Sequence, residues 1–347
     1  MNAPHPAVLF IESRVLDFFR FIAERHLMFV RRVIYHQPPP WTQDPILART
    51  YTTNVYRELD RGTRYLIRNI LPHASAAPMD TFWNVLVYRM FNWAATYEAL
   101  GGFQPASAWN PALVVEELER RHATEKVFTG ATRVSQRGRE YDGLGWSKIQ
   151  VVVDKLTQIH TDLVSLFSDL QAKLSLRDAH WLITCLPGFG GESGFLAYEV
   201  VSDLVYHPAL LGRFSEDDWV NVGPGAKAAL RQIVGGPHRD DTLFSRAVHL
   251  LRRDQEAWFR AAGVVLSGPE LTSRNIEHSL CETQKVWHTQ VSGRPKRAFT
   301  KPNDDLSPWD DIPARFQQQR FPIRTVVNQS PEVPRRLLAR DGQSLGA

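Results

Sequence analysis

Apolar residues recur along this chain with a helical period. Over residues 7–35, Leu9, Leu16, Phe19, Ile22, Phe29 and Val33 fall on one stripe, which predicts a single long helix. Pro38-Pro39-Pro40 ends it, and Asp44-Pro45 supplies an N-cap and a first-turn proline for the next helix. A helix is predicted from Thr53 to Leu71, stopped by Pro72. Another runs over 79–98, with Phe82, Leu86 and Met90 on one stripe. Further helical stretches follow at 148–174, 176–184, 193–206, 226–234, 240–262 and 272–290. Residues 127–146 break the pattern: β-branched residues and glycines predict a loop or short hairpin. From Lys301 onward, many prolines and mixed charge predict an irregular tail. The expected fold class is mainly α. The expected organisation is an N-terminal long helix over 1–40, a helical domain over 41–300 and a proline-rich tail over 301–347.

One interruption between helices is distinctive. Leu186-Pro187-Gly188-Phe189-Gly190 makes a tight, glycine-permitted hairpin between two amphipathic stretches, a helix-hairpin-helix element. Backbone amides at Gly188 and Gly190, beside a helix N-terminus, form a ready anion site, and in proteins with this hairpin the anion is usually a DNA phosphate. A second glycine turn, Gly223-Pro224-Gly225, has Lys227 beside it. Two such turns in a helical chain point towards a protein that grips duplex DNA.

Composition agrees without deciding. The 347 residues are 43% hydrophobic, which predicts a folded chain with ample core. The net charge of +4 is mild, but it is unevenly spread: Lys285 to Lys301 holds five Lys or Arg and no acid. Two cysteines, Cys185 and Cys281, are too few for a disulfide framework or an all-cysteine metal site, and a reducing cytoplasm fits them. No apolar run approaches the roughly 20 residues of a membrane span. The N-terminus does not read as a signal peptide. The absence of GxxxxGK[ST], of GxGxxG after a strand, and of HExxH or CxxC argues against a P-loop kinase, a dinucleotide-binding fold and a zinc hydrolase or deaminase. No metal site and no cofactor are expected.

Three clusters carry candidate chemistry. On a helix over 53–71, Asn54, Arg57 and Arg61 share a face with Asp60 beside it, giving two guanidiniums suited to phosphate, an amide and a carboxylate. The same pattern describes a solvated face of intrahelical ion pairs. Glu277, Cys281 and Lys285 form a second stripe, in which the cysteine is either an activated thiol or a small buried hydrophobe. Arg294, Lys296 and Arg297 beside Gly293 read as a loop gripping DNA backbone, or as a solvated basic loop. His207 follows Asp203 by one helical turn, a spacing at which the two can pair.

Several strings together resemble the alpha-glutamyl/putrescinyl-thymine pyrophosphorylase family of phages, which is related to the helical domain of 5-hydroxymethyluracil DNA kinases. They are TNVYRELDRGTRYL (53–66), VLVYRMFN (85–92), FTGATRVSQRG (128–138), LPGFG…YEVVSDLVY (186–206), VGPGAKAAL (222–230) and IEHSLCETQK…GRPKRAF (276–299). The resemblance implies a DNA-glycosylase-like helical fold over 41–300. It implies an amino acid:DNA transferase acting on double-stranded DNA that carries 5-phosphomethyluracil. Glycine, or another amino acid or a polyamine, would replace the phosphate of the modified base in the infected host's cytoplasm.

In that reading the base leaves the stack to reach the enzyme. Arg57 and Arg61 hold the departing phosphate, and Asp60 or Glu58 takes the proton of the incoming amine. Asn54, Glu58, Arg89, Asn92 and Asp203 bind substrate. Gly188, Gly190, Gly223, Gly225, Lys227, Arg294, Lys296 and Arg297 hold the DNA. A Cys281 thiolate, flanked by Glu277 and Lys285, adds to the pyrimidine in a covalent route, with direct displacement as the simpler course. Two other readings remain open here: a DNA glycosylase or lyase using Asp203 or Asp217, and a non-catalytic DNA-binding subunit.

Overall fold

Nearly all the stretches with a helical apolar period are helical in the computed structural model, and the breaks fall where polar residues turn the backbone. The structure describes residues 7–73, 76–129, 141–191, 194–236 and 240–299. In chain order the helices are α1 (Glu12–Phe29), α2 (Pro45–Arg49), α3 (Arg61–Asn69), α4 (Pro78–Phe91), α5 (Ala94–Ala99), α6 (Pro111–His122), α7 (Lys148–Thr161), α8 (Leu163–Gln171), α9 (Leu176–Thr184), α10 (Phe195–Leu204), α11 (Pro224–Ile233), α12 (Asp241–Arg253), α13 (Gln255–Ala261) and α14 (Ser273–Ser292). Among the described residues there is no strand, only two isolated β-bridges. The fold is all-helical.

Local chemistry sets these boundaries. Asp44 caps α2, accepting from the amides of Ile46 and Leu47. Ser147 and Gln150 close a reciprocal capping box on α7. The single helix expected over 79–98 is two helices, because Asn92 takes a left-handed conformation (φ 51°) between them. The stretches 148–174 and 240–262 are likewise each divided, at Asp162 and Asp254. The long N-terminal helix starts at Glu12 and finishes as a π-helical turn over Val30–Ile34. Helix α6 has no counterpart among the predicted stretches, although Asn110 caps it and Pro111 opens it. Most of the expected 127–146 loop and the whole of the tail from 301 lie outside the described residues.

The chain forms two compact units. One spans Asp60–Asn221; the other joins the residues up to Leu59 with those from Val222. The expected boundaries stood at 40/41 and 300/301, whereas the chain passes between units at 59/60 and 221/222. In the Asp60–Asn221 unit, α4 is the central helix: every residue from Thr81 to Phe91 is buried. A helix apolar all round belongs inside a core. Phe82, Leu86 and Met90 of the predicted stripe meet Leu156, Leu170, Val200 and Leu204 in one hydrophobic cluster.

In the other unit α1 packs against α11, α13 and α14, and α14 lies along α11. Phe19 meets Phe259 edge to face at 4.8 Å, and Phe10 meets Trp258 at 6.2 Å. The segment before α1 is tied to the end of α11 by two backbone bonds, Ile11 N–H to Ile233 O and Gly235 N–H to Leu9 O.

His26 on α1 is buried within this unit, its Nε2 2.7 Å from the Ser267 carbonyl. Burial pushes its pKa down to about 4, with Arg25 adding to the effect and the Ser267 bond opposing it. The unfolded chain takes up this proton near pH 6.5; the folded chain does not until about pH 4. The stability present above pH 6.5 is therefore lost as pH falls from 6.5 towards 4, by up to about 3 kcal/mol. Urea unfolding at pH 7.5 and pH 5 should show this loss, and His26→Gln should flatten the slope. An equal slope in both proteins would assign the acid sensitivity to other groups.

Candidate functional site

The string NVYRELDRGT does not form one helix. Asn54 lies in irregular backbone, Arg57–Leu59 make a single 3-10 turn, Asp60 is the N-cap position of α3, and Arg61 is its first residue. Asn54, Arg57 and Glu58 belong to one unit, Asp60 and Arg61 to the other. The expected shared face of Asn54, Arg57 and Arg61 is thus not a helical stripe. Asn54 accepts from Arg25 Nη2 at 3.0 Å and donates to the Leu59 carbonyl at 2.8 Å. Arg57 and Glu58 are buried, and the Arg57 amide donates to Asn275 Oδ1. Arg61 stacks its guanidinium 4.8 Å from the centre of Trp93.

The second cluster is where α14 meets the start of α11. Glu277 is buried; its Oε2 accepts from Arg274 at 2.7 Å and its Oε1 accepts from the Gly223 amide at 3.2 Å. A carboxylate at that point satisfies an amide and complements the positive end of α11. Gly223 has ordinary extended geometry and caps α11, so this second glycine turn is a helix start. Gly225 is needed for close approach: a Cβ there would stand 2.4 Å from Cys281 Sγ. Burial, with Glu282 and Glu277 nearby, pushes the Cys281 thiol up to about 12, Lys285 and Arg274 opposing weakly. That is opposite to what a thiolate nucleophile requires. The close approach of Gly225 and the raised thiol give the activated-thiol reading no support and fit the alternative of a small packing residue. In the folded protein, the exposed Cys185 should react with a thiol reagent at pH 8 much faster than the half-buried Cys281. Comparable labelling rates would contradict the raised, shielded thiol.

Lys285 faces Glu282 rather than the cysteine, with Nζ 2.5 Å from Oε1. Glu282 is buried and its Oε2 accepts from the Thr53 amide at 2.8 Å. Burial opposes its charge, yet Lys285, His278 and the Thr53 amide together hold its carboxyl below the ordinary value. His278 Nε2 lies 2.9 Å from Thr53 Oγ1. Neither Glu282 nor His278 is expected here from sequence, because an i, i+3 acid–lysine pair reads as a solvated face.

Beyond α14 the chain carries the basic loop. Arg294, Lys296 and Arg297 are exposed. Arg297 stacks on Tyr51 at 4.0 Å, and its carbonyl accepts from the Tyr51 amide. Thr50 and Ala298 form a β-bridge, and Lys296 Nζ is 3.3 Å from Gln284 Oε1. The loop is thereby held in one place with its cations outward. Lys227, expected beside them in function, is paired with Asp241 at 2.7 Å.

In the Asp60–Asn221 unit the structure unites three expected residues. Arg89 donates to both Asp203 oxygens, Nε to Oδ2 at 2.5 Å and Nη2 to Oδ1 at 2.8 Å, in a fully buried fork. Arg89 also donates to Asn92 Oδ1 at 3.0 Å and Thr63 Oγ1 at 3.1 Å, with Glu199 3.6 Å away. This ties α3, α4 and α10 together. Asp203 is therefore committed to Arg89; His207 Nδ1 instead accepts from the Ala209 amide, and the expected Asp203–His207 pairing does not form.

Helix α10 follows the first hairpin. Gly188 sits at φ +85°, and a Cβ there would meet Met90 Cε at 2.4 Å, so the turn is pressed onto α4. A Cβ at Gly190 would meet the Thr184 carbonyl at 2.8 Å. Phe189 between them is buried, while Gly190 and Gly191 are exposed. Among the described residues no cluster of three metal-ligating side chains occurs, and no helix is long and apolar enough to cross a membrane.

Comparison with known proteins places this geometry. Residues 12–293 match the family described as the 5-hmdU DNA kinase, helical domain. A 5-hmdU DNA kinase of Bacillus phage SP10 is 27% identical over 325 residues, covering 84% of this chain and 49% of that protein. The chain thus spans about half the length of this curated relative. No solved structure matches. The match overturns the expected membership of the pyrophosphorylase family, since it takes in nearly all of the strings on which that resemblance stood. With that membership go the amino acid:DNA transferase assignment, the displacement of a phosphate by glycine or a polyamine, and the glycosylase alternative.

Proposed function

The chain belongs to the family of the 5-hmdU DNA kinase helical domain, and from that premise we propose that it serves the phosphorylation of 5-hydroxymethyl-2′-deoxyuridine in DNA, as the part that grips the modified strand. The family match over residues 12–293 carries the reading. The setting is the cytoplasm of an infected bacterium.

Phosphoryl transfer is mostly positioning and charge stabilisation. The hydroxyl on the C5 methylene must be held in line with the donor's terminal phosphorus, and its proton must be taken up. No GxxxxGK[ST] occurs in the 347 residues, and the chain matches about half of its phage relative, so the nucleotide would be held by the other half or by a partner subunit. This chain would hold the DNA. The exposed turn at Gly190 and Gly191, before α10, offers amides to a backbone phosphate as a helix-hairpin-helix does. The Arg89–Asp203 fork, with Asn92, fixes α10 beneath that turn. In the other unit, the exposed Arg294, Lys296 and Arg297 offer cations to backbone phosphates.

The experiment is nucleoside mass spectrometry. Duplex DNA containing 5-hydroxymethyluracil is incubated with ATP, Mg²⁺ and the half of the phage relative that this chain does not match, with and without this chain. A nucleoside heavier by one phosphoryl group, formed only when the chain is present, is the expected result. Product formed equally without it would refute the role.

A further inference from the structure

The Asp60–Asn221 unit contains a cleft of about 330 Å³ lined by none of the residues assigned above. Trp83 and Val87 of α4, Tyr97 of α5, Trp109 before α6, and Leu113 and Val114 of α6 form its apolar wall. Trp83 and Trp109 stand edge to face at 5.1 Å. The polar edges of Trp109 and Tyr97 are already used inside the protein. Trp109 Nε1 donates to Thr157 Oγ1 at 3.1 Å, and the Tyr97 hydroxyl donates to Asn84 Oδ1 at 2.5 Å. Asn84 in turn donates to the Asp80 and Gln104 carbonyls. These two rings are therefore fixed in orientation before any ligand arrives.

Two side chains at the exposed lip keep hydrogen-bonding capacity. Asn110 uses its Oδ1 to cap α6, accepting from Leu113, which leaves its amide N–H groups. Gln104 uses its Nε2 on the Gly101 carbonyl, which leaves its carbonyl oxygen. One donor and one acceptor beside an aromatic wall complement the C=O and N–H edge of a pyrimidine or purine. Charge narrows the choice further. The ionised side chain on the wall, Glu117, is held by Arg120 at 2.6 Å. The lining thus offers no cation to a phosphate and no uncommitted carboxylate to an amine. The volume is at the small end of the ~300–1,000 Å³ range of ligand sites, enough for one ring system.

We propose that this cleft binds a nucleobase, an uncharged planar heterocycle with an amide-type edge. The inference rests on the proposed function only for where the base comes from, a DNA strand or a free nucleoside.

Photo-crosslinking tests it. The full chain is irradiated with 5-iodo-2′-deoxyuridine, or with a single-stranded oligonucleotide carrying one 5-iodouracil, and adducts are mapped by peptide mass spectrometry. Leu113→Asp places a carboxylate at the mouth; Leu113 is 60% exposed, so the fold tolerates it. Adducts at Trp83, Tyr97 or Trp109, reduced at least tenfold in Leu113→Asp, are expected. Adducts from both probes identify a base reached from DNA; adducts from the nucleoside alone identify a free one. Adducts only elsewhere, none at all, or undiminished adducts in Leu113→Asp overturn the proposal. Duplex retardation in gels is measured in parallel. It should be unchanged in Leu113→Asp, so failure of the cleft and failure of the DNA-gripping role read out separately.

Discussion

Asp203→Ala should destabilise the Asp60–Asn221 unit by about 3–5 kcal/mol, because it leaves the Arg89 guanidinium buried without its carboxylate. Both side chains are essentially closed to solvent, and two short bonds join them. Asn92 and Thr63 are neutral acceptors, and Glu199, at 3.6 Å from Nη1, keeps only a longer ion pair in place of the two-bond fork. Water cannot reach the cation without opening the packing of α4 on α10. The pair Arg89→Met with Asp203→Leu should recover most of the stability, since removing both charges also removes their desolvation cost. Urea unfolding of the two single variants and the double variant measures this. A single variant as stable as the parent would mean that Arg89 is not held by Asp203. Duplex binding should fall with Asp203→Ala as well, because α10 carries the hairpin.

Replacing Arg294, Lys296 and Arg297 together with alanine should weaken binding to any duplex by about one to two orders of magnitude at low salt. The plot of log affinity against log salt should become shallower by about 2.7, roughly 0.9 for each phosphate that is no longer neutralised. Stability should change little: the Arg297–Tyr51 stack is worth about 0.5–1 kcal/mol at an exposed site. Fluorescence anisotropy over a salt series reads both affinity and slope. An unchanged slope would remove this loop from the DNA interface.

Much of the fold was legible because helices announce themselves through period and caps. Phe82, Leu86 and Met90 marked the central helix of one unit, and Asp44-Pro45 marked the start of α2. Helix breaks were less legible. Asn92, Asp162 and Asp254 are ordinary polar residues in sequence, and only the packing around them decides that the chain turns there. Helix α6 shows the reverse case, in which Asn110-Pro111 carried a start signal but weak apolar periodicity hid it; only Leu118 is buried.

The candidate sites divide similarly. Arg89, Asn92 and Asp203 come together, although Asp203 is distant from the other two in sequence. Cys281 shows why spacing misleads. Glu277, Cys281 and Lys285 do share a helix, but Gly223 and Arg274 engage Glu277, Glu282 engages Lys285, and Gly225 closes over the sulfur. Those partners lie outside the motif, so the motif alone could not exclude a thiolate. The hairpin at Gly188 was read from its glycines, and the structure adds their cause: the turn is pressed against Met90 and Thr184.

The most direct test of the chain's role in gripping modified DNA is an equilibrium competition at fixed salt between two duplexes of one sequence, one with thymine and one with 5-hydroxymethyluracil at the same position. The hydroxymethyluracil duplex should bind more tightly, by about tenfold, the worth of one hydrogen bond to the added hydroxyl. Equal affinity for the two duplexes would contradict that role.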